Sequence, residues 1–296
     1  MIDFIAASAV LISGLLAVLA GVGLLRFPDV LTRLHAAAKA ATVGLIAATG
    51  AAALEADTIG AAALLLLVVA LLFLSAPIGS TLLARAAYYD PETPLMLTDR
   101  DDLAEDMRTG QSGYKPREKS RYGGARPGKA SLLVGWLVIV WISLFASGTA
   151  GVVVGGLAVA AGVAIALPGY RPRWPQGLLK PVALLRFMTV FARSLVAANL
   201  DVVRTVVAKR SLQPSIVRVP MRVSTRTETT LLVSAVTFTP GTVGIEIVGD
   251  YLYVHILDLR DEDAFRKEVD VLETGIIAAF GTSRERASIM RSPDPS

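Results

Sequence analysis

Long apolar runs separated by short polar segments dominate the first two thirds of this chain. Residues 4–25 and 59–84 contain no charged side chain, and residues 35–54 carry only Lys39, close to the start of the run. A helix needs about 20 apolar residues to cross the hydrocarbon of a bilayer, and each run is long enough. The pattern predicts three membrane-spanning helices within residues 1–88, with Pro77 inside the third.

A fourth apolar run, residues 131–168, is too long for one crossing, because it would measure about 55 Å as a single helix. Small residues near its middle, Ser147 to Gly151, favour a turn there. The run therefore predicts a hairpin of two short spans. The resulting fold class is an α-helical membrane protein with five transmembrane helices, three and then two, followed by a small cytoplasmic α+β domain.

Positive residues lie in alternate connections, and this sets an orientation. The first connection carries Arg26 and Arg33, whereas the second carries only Glu55 and Asp57. The remaining basic residues near the spans follow the third span or flank the hairpin: Arg85, Lys115, Arg117, Lys119, Arg121, Arg126, Lys129, Arg171, Arg173 and Lys180. With five crossings all of them fall on one side, which places the N-terminus outside and the C-terminal domain in the cytoplasm.

Residues 89–130 between the two apolar regions are polar, rich in Gly and Pro, and lack an apolar period. Such composition predicts a flexible, disordered linker, with a docking segment as the alternative. Its first half is acidic and its second half is basic. A joint between two separate folding units would have this character.

Residues 169–210 contain an apolar stretch interrupted by three arginines. At 100° per residue, Arg186, Arg193 and Arg204 lie within about 20° of one another and form a basic stripe. Placing arginines in the middle of the bilayer is unfavourable. The pattern predicts an amphipathic helix at the cytoplasmic interface, with the stripe against lipid headgroups or a partner protein. The alternative, a crossing, would move the terminal domain outside.

The chain from residue 211 to residue 283 has the pattern of a small α+β domain in the order βαββα. Alternating residues from Val217 predict a half-buried strand, and Pro220 favours an edge position. Thr225 and Glu228 form a capping-box pattern ahead of a short helix. Two strands joined at Gly249-Asp250 and a final helix follow. Residues 284–296 are predicted to be a disordered tail.

Composition limits the chemistry. The chain is 53% hydrophobic and 18% charged, has no cysteine, and carries a net charge of only +4. The basic residues concentrate on one side, which favours anionic lipid headgroups over nucleic acid as their partner. The spans hold no Asp or Glu at depth, where ion-translocating proteins usually place ionisable groups. The chain is therefore not expected to complete a cation pathway alone.

Few residues suggest a catalytic, cofactor or metal site, and none is predicted. His255 is alone on its strand, and the turn from Thr239 to Thr242 lacks the lysine and spacing of a phosphate loop. His35 and Lys39 lie one helical turn apart, where they could anchor the helix at the interface or shape the field of an ion vestibule. Pro28 suits a helix start, and Asp29 is predicted to form a local ion pair with Arg26 or Arg33.

Two parts of the chain resemble known antiporter components. Residues 23–44, GLLRFPDVLTRLHAAAKAATVG, and the segment LSAPIGSTLLARAAYY resemble the G subunit of the multisubunit Mrp-type sodium/proton antiporters. Residues from about 130 to 281 resemble the E subunit, through ARSLVAANLDVVR, QPSIVRVP, TLLVSAVTFTPGT and YLYVHILD. The chain is therefore identified as a natural fusion of two subunits that are separate polypeptides in most relatives.

The resemblance implies an accessory component of a transporter, not an enzyme, in the cell membrane. Partners would be the A, B, C, D and F subunits and membrane lipids, and Na⁺ and H⁺ would be the ions that the complex exchanges. The family motif residues, which could contribute to a vestibule or an interface, are Arg26, Pro28, Asp29, Arg33, His35, Lys39, Pro77, Thr239, Pro240 and Gly241. Two alternatives remain: a self-sufficient small cation channel or transporter, and a membrane-anchored regulatory protein whose α+β domain binds a ligand.

Overall fold

A computed structural model describes residues 2–36, 41–98, 100–110, 130–145, 149–166, 180–208 and 211–281. The described chain is mostly helical, with one small three-stranded sheet near its C-terminal end. It forms two compact units. One contains residues 1–15, 43–73 and 124–174, and the other contains residues 16–42, 74–123 and 175–296.

The three apolar runs of the first part form helices. Helix α1 (Ile2–Arg26) contains the first run, the short α2 (Val30–Leu34) lies in the connection after it, α3 (Ala41–Leu54) lies in the second run, and α4 (Ile59–Tyr89) contains the third. Helix α4 continues past its predicted end at residue 84 and contains Pro77. His35 and Ala36 form a π-helical turn after α2, whereas residues 37–40, including Lys39, lie outside the described residues.

Part of the predicted flexible linker is ordered. Residues 102–109 form helix α5 (Asp102–Thr109), which Asp101 caps at its start and Gly110 ends in a left-handed conformation with φ of 65°. The Thr98 amide donates a hydrogen bond to the Pro214 carbonyl, and Asp101 forms an isolated β-bridge with Ile216. Local capping and the burial of Leu103 stabilise this segment. Within the predicted linker the described residues thus contain a helix that contacts the terminal domain, whereas residues 99 and 111–129 lie outside the described residues.

The hairpin predicted after the linker consists of α6 (Ala130–Phe145) and α7 (Ala150–Ala166), which pack against each other. Gly155 and Gly156 allow the close approach, because both face the ring of Trp141. A Cβ atom at Gly156 would lie 2.7 Å from the Trp141 ring, so a larger residue here would have to displace this ring. Residues 146–148, at the predicted turn, lie outside the described residues.

The C-terminal region contains α8 (Pro181–Ala208), β1 (Ser215–Pro220), α9 (Arg226–Phe238), β2 (Thr242–Val248), β3 (Tyr251–Ile256) and α10 (Glu262–Phe280). The predicted βαββα order is correct. The strands pair antiparallel in the order β1-β3-β2, so β1 lies at the edge as Pro220 indicated. Helix α10 packs against both α8 and α9, and α9 packs against β2.

The half-buried alternation predicted for β1 from Val217 onward is confirmed, because Val217 and Val219 are buried whereas Arg218 is partly buried and Pro220 is exposed. Ile216 and Val217, which point to opposite faces of the sheet, are both fully buried. The face that carries Ile216 is covered by Leu31 of α2, by Ala84 and Ala87 of α4, and by Leu103 of α5. Elements distant in sequence thus cover the end of this face that carries Ile216. We call this contact of the sheet with α2, the end of α4 and α5 the junction.

Three helices in the described residues are long and apolar enough to cross a membrane: Phe4–Arg26, Gly60–Tyr89 and Pro181–Leu200. Residues 44–54 and 150–163 are shorter apolar helices. The third candidate span belongs to α8, which the sequence predicted to lie at the interface.

Candidate functional site at the junction

Helix α2, which contributes Leu31 to the junction, begins with a capping box formed by Asp29 and Thr32. Asp29 is 4% exposed, and its Oδ1 accepts hydrogen bonds from the Thr32 amide at 2.7 Å and the Thr32 hydroxyl at 2.6 Å. Its Oδ2 accepts one from the Met96 amide at 2.8 Å. These bonds replace the predicted ion pair of Asp29 with Arg26 or Arg33. Arg33 instead donates from Nε to the Phe27 carbonyl at 2.8 Å.

The two histidines of the chain meet in the junction. His35, on the π-helical turn after α2, is 1% exposed, and His255, on β3, is 0% exposed. His35 Nε2 and His255 Nδ1 lie 2.9 Å apart, and the two rings stack with an interplanar angle of 18°. His255 is therefore not alone, contrary to the prediction. Because one of the bonded nitrogens must accept, at least one ring is neutral whenever this bond exists.

The alternation of β3 explains why His255 points into the junction. Tyr251, Tyr253 and His255 share the face that Leu31 covers, whereas Leu252 and Val254 lie on the face toward Val233 and Thr237 of α9. The sequence YLYVHI shows this alternation, so it could have indicated that two tyrosines and a histidine share one face of β3. No local pattern could identify His35 as the partner, since the two residues are 220 positions apart.

A buried carboxylate joins α5 to the sheet. Asp106 is 5% exposed and accepts two hydrogen bonds from Arg218 of β1, both at 3.0 Å, and one from the Tyr253 hydroxyl at 2.6 Å. Asp102 also accepts from the Arg218 amide at 2.8 Å. Charge-assisted bonds of this kind fix geometry as well as adding stability. They hold α5 at the edge strand.

Ion pairs formed by Arg100 and Arg85 extend this attachment. The guanidinium of Arg100 bonds to Asp102 at 3.0 Å and also to Glu262 of α10, and these bonds hold the pKa of Arg100 above its usual value. The hydrogen bond from Arg100 lowers the pKa of Glu262 below its usual value. On α4, Arg85 pairs with Glu246 of β2 at 2.9 Å. Helix α4 and the first part of the predicted linker are thereby attached to the terminal domain.

The other predicted site residues lie apart from the histidine pair. Pro77 is buried within α4, and Arg26 and Pro28 are exposed. Thr239 donates to the Ala235 carbonyl at 3.0 Å, and Gly241 adopts φ of 88° in the turn before β2, where a glycine is favoured. The three arginines of the α8 stripe are exposed: Arg186, Arg193 and Arg204. Within the described ranges, no three potential ligands lie close enough to hold a metal ion.

The junction is a buried structural contact between elements rather than a catalytic cleft. Its polar groups are bonded to one another across elements from both ends of the chain. It can fix the relative position of α2, the end of α4, α5 and the sheet, which all belong to the same compact unit.

Comparison with known proteins divides the chain at the linker. Residues 134–279 match a family model described as "Na+/H+ ion antiporter subunit" (MNHE), and residues 9–88 match another described as "Na+/H+ antiporter subunit". The E subunit of an Na⁺/H⁺ antiporter of Alkalihalophilus pseudofirmus is 32% identical over 99 residues, covering 32% of this chain and 63% of that relative. The chain thus spans less than two thirds of this protein.

The first part has its own relatives. The G subunit of the Alkalihalophilus pseudofirmus antiporter is 39% identical over 92 residues, covering 29% of this chain and 75% of that relative. The G1 subunit of a Staphylococcus aureus antiporter is 33% identical over 101 residues, covering 33% of this chain and 86% of that relative.

Proposed function

The chain belongs to the families of the G and E subunits of the Na⁺/H⁺ antiporters, fused in one polypeptide, and on this basis we propose that it is an accessory component of such a complex. It supports assembly and contributes part of the wall around the cation path, without a proton relay of its own. Its partners are the A, B, C, D and F subunits and membrane lipids. Na⁺ and H⁺ are the ions that the complex exchanges.

The shared core of the junction is the single observation that carries this proposal. Leu31 and Ala84 from the G-like part and Ile216 and Tyr253 from the E-like part belong to one buried cluster. A buried, mutually bonded contact of this kind suits a rigid scaffold. In keeping with that role, α3, α4, α6 and α7 contain no Asp, Glu or Lys that could relay protons within the bilayer.

The same contacts support five crossings with the terminal domain in the cytoplasm. Helix α5 precedes the hairpin and the sheet follows α8, yet Asp106 and Arg218 are bonded. Two touching segments lie on the same side of a membrane, so the number of crossings between them is even. Helices α6 and α7 supply two, and α8 then lies along the interface.

Packing of α8 favours the same arrangement. The Lys180 amide donates a hydrogen bond to the Ala279 carbonyl of α10. The Phe191 ring stacks on Phe187 and also contacts Phe238 of α9. A Cβ atom at Gly275 of α10 would lie 2.7 Å from the Phe187 ring, so the two helices approach closely. Elsewhere on its surface α8 exposes apolar side chains, including Val182 and Leu185, together with the arginine stripe, which suits the headgroup region.

Purification of the tagged full chain in mild detergent tests the function. We expect the large antiporter subunits to accompany it, because exchange requires ionisable groups at depth in the bilayer and the spans of this chain hold no Asp or Glu there. The chain alone, reconstituted in vesicles, should show no Na⁺-dependent proton flux. Flux from the chain alone would instead support the small-transporter alternative, and its purification without large subunits would contradict the accessory role.

Cysteine labelling tests the orientation, since the natural chain has no cysteine. In intact cells an impermeant maleimide should label Asp57→Cys, whereas Arg108→Cys and Lys267→Cys should react only after lysis. All three positions are exposed. Labelling of Lys267→Cys from outside, with Arg108→Cys protected, would show that α8 crosses the membrane. The unmodified chain serves as the background control.

A further inference from the structure

A groove of about 400 Å³ lies between α4 and the first half of α9. Ile78, Thr81 and Leu82 form one wall, and Arg226, Thr230 and Val233 form the other. Thr81 also lies 3.4 Å from Thr237 through their hydroxyl oxygens, which holds the two helices side by side. All of these residues belong to one compact unit.

The length of α4 sets the depth of this groove. Helix α4 begins at Ile59, shortly after the acidic connection of Glu55 and Asp57. The apolar run of α4 continues to residue 84 and is therefore longer than the about 20 residues that cross the hydrocarbon. Its last apolar turn, which carries Thr81 and Leu82, then lies where the span meets the headgroups. Arg85, one turn further, is the first charged residue of the helix.

The lining of the groove fits an anionic amphiphile. Among the described residues that line it, Arg226 carries the charge, and the other side chains are apolar or carry hydroxyl groups. A second groove of about 550 Å³, beside the turn at Thr239, differs in this respect. It combines basic with acidic side chains, so its charges do not select an anion: Arg204, Arg260, Asp258, Asp261 and Glu268.

We propose that the groove between α4 and α9 binds an anionic phospholipid of the inner leaflet. The phosphate pairs with Arg226, and the glycerol region and upper acyl chain contact Ile78, Leu82 and Val233. The proposal rests on the membrane orientation given under the proposed function. Such a lipid would fill the space between the last turns of the span and the terminal domain.

Lipid binding to the purified full chain tests this site. Native mass spectrometry in detergent, with added phosphatidylglycerol or phosphatidylcholine, should show preferential retention of phosphatidylglycerol. One arginine near the surface contributes about 1 kcal/mol to anionic lipid binding, so Arg226→Gln should weaken retention about five-fold. Arg226→Lys should retain most of the preference, because the charge remains.

Arg108→Gln is the matched control, because it removes an equal charge from an exposed position of α5 outside the groove. Thr230→Trp should block both lipids by filling the groove while Arg226 remains. Equal retention of the two lipids by the natural chain, or equal losses in Arg226→Gln and Arg108→Gln, would overturn the proposal. Displacement of phosphatidylglycerol by millimolar inorganic phosphate would also overturn it, in favour of a free phosphate site. Copurification of the large subunits is a separate readout, so failure of the lipid site leaves the accessory role testable.

Discussion

Replacement of His255 with alanine should lower the opening free energy of β3 by about 2–4 kcal/mol. The substitution leaves a cavity in a buried cluster and removes the bonding partner of a buried imidazole, and both effects destabilise. Native-state hydrogen exchange at the amides of Val254 and Ile256, on the full chain in detergent, measures this change. His35→Ala should produce a loss of similar size in the same amides, although it lies on a different part of the chain.

The geometry of the pair supplies matched controls. An asparagine side chain places a polar atom near the position of a histidine Nδ1, and glutamine does so for Nε2. Because the bond joins His35 Nε2 to His255 Nδ1, His255→Asn and His35→Gln should each lose less stability than the alanine variants. The two alanine substitutions together should show a coupling of about 0.5–3 kcal/mol. Additive losses would mean that the rings contribute separately, and the pair would then not be the connection that we describe.

Replacement of Asp29 with alanine should lower the opening free energy of β3 by about 2–3 kcal/mol. This change removes the N-cap of α2 and leaves the Met96 amide without its acceptor. Asp29→Asn should lose roughly half as much, because asparagine is a good N-cap but its amide nitrogen cannot accept from Met96. Hydrogen exchange at Met96 should accelerate in both variants, whereas exchange at Thr32 should accelerate mainly in Asp29→Ala.

Pro28→Ala is the control for these variants, since Pro28 is adjacent but exposed. We expect it to change the opening free energy by no more than about 0.5 kcal/mol. Equal effects of Asp29→Asn and Asp29→Ala would show that the link to Met96, rather than the cap, carries the stability. Hydrogen-exchange rates in Asp29→Ala equal to those of the natural chain would show that Asp29 does not stabilise the junction.

Much of the fold followed from local signals. The runs now seen as α1, α4, α6 and α7 were predictable because hydrocarbon tolerates only long apolar segments. The order βαββα, the cap formed by Thr225 and Glu228, and the edge position of β1 followed from turn, capping and alternation patterns. The family signatures predicted a fusion of G-like and E-like parts, and the comparisons agree with it.

The errors share one physical origin. Composition predicted a disordered linker over residues 89–130, but its described part contains α5, which is stabilised by Asp106, whose partners Arg218 and Tyr253 lie far away in sequence. Alternation from Val217 did not reveal that Ile216, on the other face of β1, is covered by residues from α2, α4 and α5. Asp29 was assigned to a nearby arginine, although its distant partner is the Met96 amide.

The sequence by itself determined which segments avoid water and where helices and strands begin, because those properties depend on neighbours within a few residues. Only the tertiary structure decided what covers each buried face. A histidine on a strand and a histidine at a helix end look unrelated in sequence, and only folding brings His35 and His255 within a hydrogen bond. The reason is that the tendency of a side chain to be buried is a local property, whereas the identity of its partner depends on chain topology.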